Sequence, residues 1–440
     1  MSESTQSARE TAFSVLLGCE SHGAWSDGAL KNAIRKNNLD PRDSALCSRI
    51  CYGVQQHQLL LDFWISQFSK VPLKKLEPAV RIALRMGMYQ VAKMDKIPDR
   101  AAVSESVNLV KHHSKNPHSA NLTNGILRGF CRAKDHLPQA ESLSIRYSHP
   151  QWLVDLLREA VGAEELEALL QANNTEVPTT IQRNPLKTDG ATLVEALTKQ
   201  GVTVTPHPWL SGCFTLTGTG ALDALELFQK GWFTVQDAAA RLAVLAADPK
   251  PGFQVLDACA APGGKSFAAA MAMENQGAII SCDLHPKKLK EITAGAKRLG
   301  LSIIRTQTAD GKVFRPEWAE HFDLVMADVP CSGLGIIRKK PDIRYKEPTA
   351  LEKLPGIQGA ILDNVSRYVK PGGTLLYATC TVLPRENEGV VTAFLNNHQE
   401  FHLEPFQLPE PIGSVAAGML TLWPHRHGTD GFFFAKMRKL

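Results

Sequence analysis

Val255-Leu256-Asp257-Ala258-Cys259-Ala260-Ala261-Pro262-Gly263-Gly264-Lys265-Ser266 is the stretch that decides the fold. An apolar run ends in an acid, gives way to small residues and two glycines, and continues in a helical pattern. A strand feeding such a loop and then a helix leaves bare backbone and a helix N-terminus at the strand's carboxyl end, where open α/β sheets hold their ligands. A phosphate-binding G-x-x-x-x-G-K-[ST] loop would need glycine where Cys259 stands, and the G-x-G-x-x-G of a dinucleotide fold is missing. Both readings, a nucleoside triphosphatase and a nicotinamide enzyme, are therefore disfavoured.

Working outward, the runs FQVLDA, AIISCDL, SIIRTQTAD, DLVMADV and GTLLYAT read as strands, separated by helical periods from Lys265, over Pro286–Leu299 and over Ala350–Val369. Apolar strands alternating with helices indicate a doubly wound, mostly parallel Rossmann-like sheet. The stretch before it alternates TTIQRNP, ATLVEALTKQ, VTVTPH, CFTLTG, ALDALELFQ and WFTVQ as strand, helix, strand, strand, helix, strand, a small α/β unit. From Ala8 to Arg132 the apolar residues recur three and four apart, as in AVRIALRMGMYQVAKM, which predicts an all-α bundle. Three domains are expected: helical 1–140, a helical connector with the small α/β unit over 141–236, and the large α/β domain over 237–440.

A hydrophobic fraction of 44% and a charged fraction of 21% are those of a folded globular chain. No apolar run approaches the roughly 18 residues of a membrane span, and MSESTQSARE lacks a signal-peptide core, so a cytoplasmic protein without membrane attachment is expected. Nine cysteines include no CxxC pair and no zinc spacing. The His425-x-His427 pair has no third ligand in suitable register, so no metal is expected. The net charge of +5 is unevenly spread: residues 1–150 carry 20 Lys and Arg against 13 Asp and Glu, while the remainder is slightly acidic. That asymmetry favours an acidic partner such as nucleic acid for the helical segment, bound in a salt-sensitive way.

Other chemistry-bearing residues fall at the ends of neighbouring strands. Asp283 lies about 20 residues beyond the glycine loop, where an acid commonly accepts from both hydroxyls of an adenosine ribose. Asp310 follows the next strand and is placed to accept from an adenine amino group. Each acid alone also suits a helix cap or a solvated loop. Together, with no second basic clamp for phosphates, they point to S-adenosylmethionine rather than ATP. Two cysteines, Cys331 in DVPCSGLG and Cys380 in ATCT, end adjacent strands facing that site. Cys19, Cys47, Cys51, Cys131, Cys213 and Cys282 read as core filler.

DACAAPGGKS, DVPCSGLG, ATCT and the late DGFFFAKM together resemble the RNA (cytosine-5)-methyltransferase family, whose members carry one cysteine in a Pro-Cys motif and a second in a Thr-Cys motif. IPDRAAVSESVNLVKHH and ANLTNGILRGF are similar to helices of a NusB-like RNA-binding domain, an architecture of the 16S ribosomal RNA cytosine-5-methyltransferase B subfamily. RNPLK at Arg183–Lys187 and VQDAAA at Val235–Ala240 also match. Departures are Thr381 for the usual Ser, Val329 for Ala and Phe434 for Tyr.

The resemblance implies S-adenosylmethionine held by Cys259, Ala260, Ala261, Pro262, Gly263, Gly264 and Lys265, with Asp283 on the ribose, Asp310 near adenine and Asp328 at the methyl end. It implies Cys380 as the nucleophile that adds to carbon 6 of cytosine, Asp328 as the acid at ring nitrogen 3, and Cys331 in product release, with Lys265 nearby to favour thiolate. Arg183 and the loop cations Arg338, Lys339, Lys340 and Arg344 are expected to hold the RNA backbone. The expected partner is 16S rRNA, bound by a monomer. Transfer RNA or large-subunit rRNA is the alternative substrate, and an inactive RNA-binding assembly factor the alternative class.

Overall fold

The computed structural model describes residues 6–22 and 27–440. The chain divides into two compact units, one comprising residues 1–155 together with Lys340–Tyr345, the other Leu156–Lys339 and Lys346–Leu440.

The first unit is helical, as its periodicity predicts. The helix Pro78–Lys93 is its axis: every residue from Ala79 to Val91 except Arg81 is buried. Such all-round burial is possible because helices such as Ala8–His22, Pro41–Gln56 and Asp99–His113 cover its different faces. Local signals set the ends. Asp40 accepts from the Asp43 amide at 2.7 Å, and Pro41 occupies the first helical turn, where its missing N–H costs nothing. Arg85, buried on the central helix, is neutralised by a bidentate pair with Asp62 (2.7 and 2.8 Å) and by Glu20 at 3.0 Å.

The segment Pro341–Tyr345 forms a short 3-10 turn of this unit. Arg344, expected to face RNA, is instead fully buried, donating from Nη1 to the carbonyls of Gln56 (2.8 Å), Tyr147 (3.2 Å) and Ser148 (3.1 Å). Burial draws its pKa down to about 10. Full burial against these three carbonyls removes it from the expected RNA contacts. Lys340 is exposed.

The second unit contains two main sheets. Strands β1 (Thr179–Arg183), β2 (Thr203–Pro206), β3 (Cys213–Thr217) and β4 (Phe233–Val235) form an antiparallel sheet in the order β2-β3-β1-β4. The large sheet contains β5 (Gln254–Asp257), β6 (Ala278–Asp283), β7 (Ile304–Thr308), β8 (Phe322–Asp328), β9 (Val369–Thr379) and β10 (Phe401–Leu403). After a small ribbon of β11 (Phe406–Gln407) and β12 (Ser414–Val415), β13 (Met419–Leu422) and β14 (Phe432–Lys439) complete it. The order is β10-β14-β9-β8-β5-β6-β7, with β13 beside β14. Strands β5 to β9 pair in parallel, so their carboxyl ends share one edge. Strand β14 runs antiparallel to β9 and carries Phe433, Phe434 and Ala435, all buried.

Two helix expectations change. Ala221–Gln229 is not one helix but a 3-10 turn at Leu222–Ala224 followed by a single turn, Glu226–Gln229. Leu222, Leu225, Leu227 and Phe228 all point into the small core without needing a regular period. The expected helix over Ala350–Val369 begins only at Leu354, because Pro355 lies in its first turn, and it ends at Ser366.

Candidate active site

The site is built where β5, β8 and β9 end side by side. After β5 the chain turns through Ala258 and Ala260, whose amides donate to the carbonyls of Met326 (2.9 Å) and Cys282 (2.7 Å), tying the loop to both neighbouring strands. Gly263 then opens the helix Gly264–Ala272 with φ +108°, and a Cβ there would lie 2.6 Å from the Phe267 ring. Only glycine lets the loop pass so close to its own helix. Asp283 ends β6, accepts from the His285 amide at 2.8 Å and lies 3.7 Å from Lys288. Asp310 follows β7 by two residues, accepting from the Lys312 amide at 3.0 Å. The three βα turns thus place the glycine loop, Asp283 and Asp310 in a row.

Asp257, the last residue of β5, belongs to this row, although the sequence reading quoted it without giving it a role. It is fully buried, and one oxygen accepts from Ser266 Oγ at 2.6 Å, which in turn meets Ser281 Oγ at 2.7 Å. The other oxygen, Oδ1, has no hydrogen-bond partner. Burial, reinforced by Asp328, outweighs the Ser266 bond and pushes its pKa up to about 7. The sequence signal was available: an acid ending the strand that enters the glycine loop.

Asp328 ends β8, and its Oδ2 lies 2.6 Å from Lys265 Nζ. The lysine, nearly buried, also sits 4.7 Å above the Phe432 ring. Cys331 and Cys380, separated by 49 positions, bring their sulfurs within 3.2 Å. The hydrogen bond from Cys331, helped by the Lys265 charge, draws the Cys380 thiol below its ordinary value against the effect of burial. Donating that bond, burial and the nearby Cys380 and Glu386 raise Cys331 well above it. Burial raises Cys259 as well, which disfavours its thiolate.

Backbone contacts fix the Pro-Cys loop. Gly335 N donates to Cys380 O at 2.9 Å and Gly431 N to Gly335 O at 2.8 Å. A Cβ on Gly335 would fall 1.8 Å from Gly431 O. The glycines of DVPCSGLG and DGFFFAKM therefore share one contact, a relation their separation in sequence concealed.

The expected RNA-binding cations are placed differently from one another. Arg338 and Lys339 enter a mostly buried cluster with Asp237 and Asp430: Arg338 Nε lies 3.1 Å from Asp430, and Lys339 Nζ 2.9 Å from Asp237 while also pairing with Asp430. Asp237 additionally caps the helix Ala238–Ala247 through the Ala239 amide. These two cations are committed to carboxylates, because a buried acid pair demands compensation. Arg183 is half-buried and donates to Thr188 O at 2.6 Å. His425 pairs with Glu165 at 2.9 Å and His427 bonds the Trp423 backbone. Among the described residues no cluster suited to a metal ion occurs, and no helix is long and apolar enough to cross a membrane.

Comparison with known proteins gives this geometry its relatives. The family model for 16S rRNA methyltransferase RsmB/F matches residues 244–438, the NusB family matches residues 6–132, and the ferredoxin-like domain of RsmF/B-like methyltransferases matches residues 149–223. A probable ribosomal RNA small subunit methyltransferase B of Synechocystis sp. is 36% identical over 98% of this chain and 99% of its own. A Bacillus subtilis protein of the same description is 37% identical with the same coverage. The crystal structure of PH0851 superimposes with a TM-score of 0.79 at 26% identity, covering 98% of this chain and 99% of that one. With likeness running through all three segments, the chain belongs to the 16S rRNA methyltransferase RsmB/F family.

Proposed function

We propose that this protein transfers the methyl group of S-adenosylmethionine to carbon 5 of a cytidine in small-subunit ribosomal RNA, through a covalent bond between Cys380 and the base. The observation that carries the reading is the thiol pair: two sulfurs 3.2 Å apart at adjacent strand ends, beside a Lys265–Asp328 pair at 2.6 Å. A core has no use for that constellation, whereas addition to a pyrimidine needs a thiolate, an acid and a base together.

The residues fit the methyl donor. Gly263 and Gly264 present bare backbone at the head of their helix, and Asp257 Oδ1 is a buried acceptor with no partner, suited to an ammonium group. Asp283 and Asp310 offer acceptors for ribose hydroxyls and an adenine amine. The bound sulfonium supplies an electrophilic methyl group. Cys380 passes its proton to the Asp328 carboxylate and adds as thiolate to carbon 6, forming the carbon–sulfur bond, while the displaced ring electrons take that proton from Asp328 at nitrogen 3. Carbon 5, now nucleophilic, receives the methyl group. Cys331, its thiol proton lost to solvent once Cys380 is bonded and uncharged, removes the carbon 5 proton as thiolate; the ring double bond re-forms, the bond to Cys380 breaks, and nitrogen 3 returns its proton to Asp328, which gives it back to the Cys380 thiolate. Lys265 steadies the negative charge at Asp328 and Cys380 throughout.

The helical unit and Lys340 are assigned to RNA, in a cytoplasmic monomer. Labelled methyl donor with separate 16S rRNA, 23S rRNA and tRNA tests the substrate, and bisulfite sequencing tests carbon 5. Label in 16S rRNA is expected; label only in another RNA would move the substrate, and none in any RNA would leave a binding protein. Cys380→Ala should abolish both methylation and adduct, and Cys331→Ala should accumulate a protein–RNA adduct on a denaturing gel. The reverse pattern would exchange the two roles.

A further inference from the structure

Glu386 and Asn387, seven and eight residues beyond the end of β9 and just before the next helix, are fully buried, though neither has a place in the reaction above. Glu386 Oε2 accepts from the Ser332 amide at 2.9 Å and from Gln358 Nε2 at 2.8 Å, and the same Gln358 nitrogen reaches Pro330 O at 3.1 Å. Pro330 and Ser332 are the two neighbours of Cys331. Asn387 accepts from Thr379 Oγ1 at 2.6 Å and donates to Thr381 O at 3.1 Å. Thr379 and Thr381 are the two neighbours of Cys380. Adjacent side chains thus grip each reactive cysteine by both flanks.

Asn387 stands at the N-cap of the helix Glu388–Asn397, yet makes no side-chain cap hydrogen bond there. Asparagine in that position ordinarily serves the helix, at a worth of about 1 kcal/mol. Here it is turned to the cysteine strand instead. Glu386 takes its donors from the Ser332 amide, from Gln358 and, at 3.5 Å, from Thr381 Oγ1, and no cation pairs with it among the described ion pairs. A carboxylate withdrawn from water with only neutral donors is costly, so its placement calls for a function that an apolar residue would not fill. Ser332 Oγ, donating to Thr381 Oγ1 at 2.8 Å, links the two grips.

We propose that Glu386 and Asn387 are positioning residues that set the separation and the proton distribution of the two thiols, Glu386 acting on Cys331 and Asn387 on Cys380. The negative charge of Glu386 disfavours a second anion at Cys331 in the resting protein, so the one thiolate of the pair forms at Cys380. Asn387 holds the strand end that presents this sulfur. The assignment rests on the reading of Cys380 and Cys331 as the reacting thiols, but its test does not require the reaction.

Alkylation of each cysteine by iodoacetamide, followed by mass spectrometry from pH 6 to 10 in the full chain without RNA, reads the two thiols separately. Glu386→Gln should speed alkylation of Cys331 at neutral pH by about tenfold, the size expected from losing one charged buried partner. Asn387→Ala should slow alkylation of Cys380 by a similar factor and slow adduct formation with rRNA, whereas Glu386→Gln should alter adduct release. Affinity for the methyl donor, measured by calorimetry, should stay within twofold in both and reports folding. If Glu386→Gln fails to fold, Gln358→Leu removes only one bond to the carboxylate and should shift Cys331 in the same direction by about threefold. Unchanged rates at both thiols in folded variants would overturn the proposal. Shifted rates in a protein that methylates no RNA would instead leave it standing and sink the proposed reaction.

Discussion

Replacing Gly335 by alanine isolates the contact that holds the Pro-Cys loop against the Thr-Cys strand. The added methyl would lie 1.8 Å from Gly431 O, 2.5 Å from its carbonyl carbon and 2.9 Å from Cys380 O, all backbone atoms that cannot rotate away. Relief to an ordinary contact of at least 3.0 Å means opening the loop by about 1.2 Å. That movement breaks the Gly335–Cys380 and Gly431–Gly335 backbone bonds and carries Cys331 away from Cys380. A displacement near 1 Å at reacting groups costs on the order of 10²-fold in rate, and overpacking of this kind costs about 1–3 kcal/mol in stability. The expectation is a kcat reduced by about a hundredfold, with affinity for the methyl donor kept, since Gly263, Asp257, Asp283 and Asp310 lie at other strand ends. Gly356→Ala, in a helix with open space around it, is the control and should be neutral or stabilising by about 0.5–1 kcal/mol. Single-turnover methylation and calorimetry measure the two quantities. A Gly335→Ala protein with kcat within threefold of the parent would refute the claim that this contact sets the thiol geometry.

Lys339→Ala should destabilise the protein by about 3 kcal/mol, because Asp237 and Asp430 would lose the cation nearest to both and keep only Arg338, which lies 3.1 Å from Asp430 but 4.0 Å from Asp237, while the slope of RNA affinity against salt should not change. A variant with unaltered melting but a shallower salt slope would return Lys339 to the RNA. Stability of the helical unit should fall as pH drops. Burial, reinforced by neighbouring cations, draws His57 down to about 3 and His149 well below its usual range. Between the unfolded value near 6.5 and the folded one, the unfolded chain binds more protons, so each histidine removes up to about 1.4 kcal/mol per pH unit as pH falls through that window. Thermal melting from pH 7 to pH 4 checks the sign, and a profile as flat in the parent as in a His57→Gln, His149→Gln double variant would contradict it.

Sequence period and motif were sufficient to locate strands β5 to β9 and the glycines and acids at their ends, because both are local: a strand ends, a loop turns, and an acid or glycine stands at a fixed offset. The helix Pro286–Leu299 matches its sequence bounds because a proline opens it and Gly300 closes it. What escaped reading depends on pairing across long separations. Arg338 and Lys339 look like free cations in sequence, and their partners Asp237 and Asp430 lie about a hundred positions away on either side. Arg344 looks basic and exposed, and its partners are carbonyls near positions 56 and 148. Strand β14 was visible only as the motif DGFFFAKM, since a run of three phenylalanines reveals burial but not direction. Glu386 and Asn387 carried no signal at all beyond their place after the Thr-Cys motif.

The thiol pair raises a difficulty whose resolution constrains the mechanism. Cys331 is the more basic sulfur, raised by its bond to Cys380 and by Glu386, yet the proposed last step needs it as a thiolate. Two sulfurs at 3.2 Å titrate as one system, and the first proton lost leaves its charge on the sulfur that Lys265 and the donated bond favour, Cys380. The charge on Cys380 is then what opposes ionisation at Cys331. Once Cys380 is bonded to carbon 6 it carries no charge, the largest cause of the elevation at Cys331 disappears, and the second thiol ionises more easily. The order of events therefore follows from electrostatics: Cys331 is inactive as a base in the free protein and becomes one only after Cys380 has reacted. Iodoacetamide should accordingly modify Cys380 first, and the neutral thioether it leaves there, which cannot exchange with a neighbouring thiol, should increase the reactivity of Cys331. If capping Cys380 left Cys331 as slow as in the free protein, Glu386 and burial alone would account for its resistance, and another group would have to remove the carbon 5 proton.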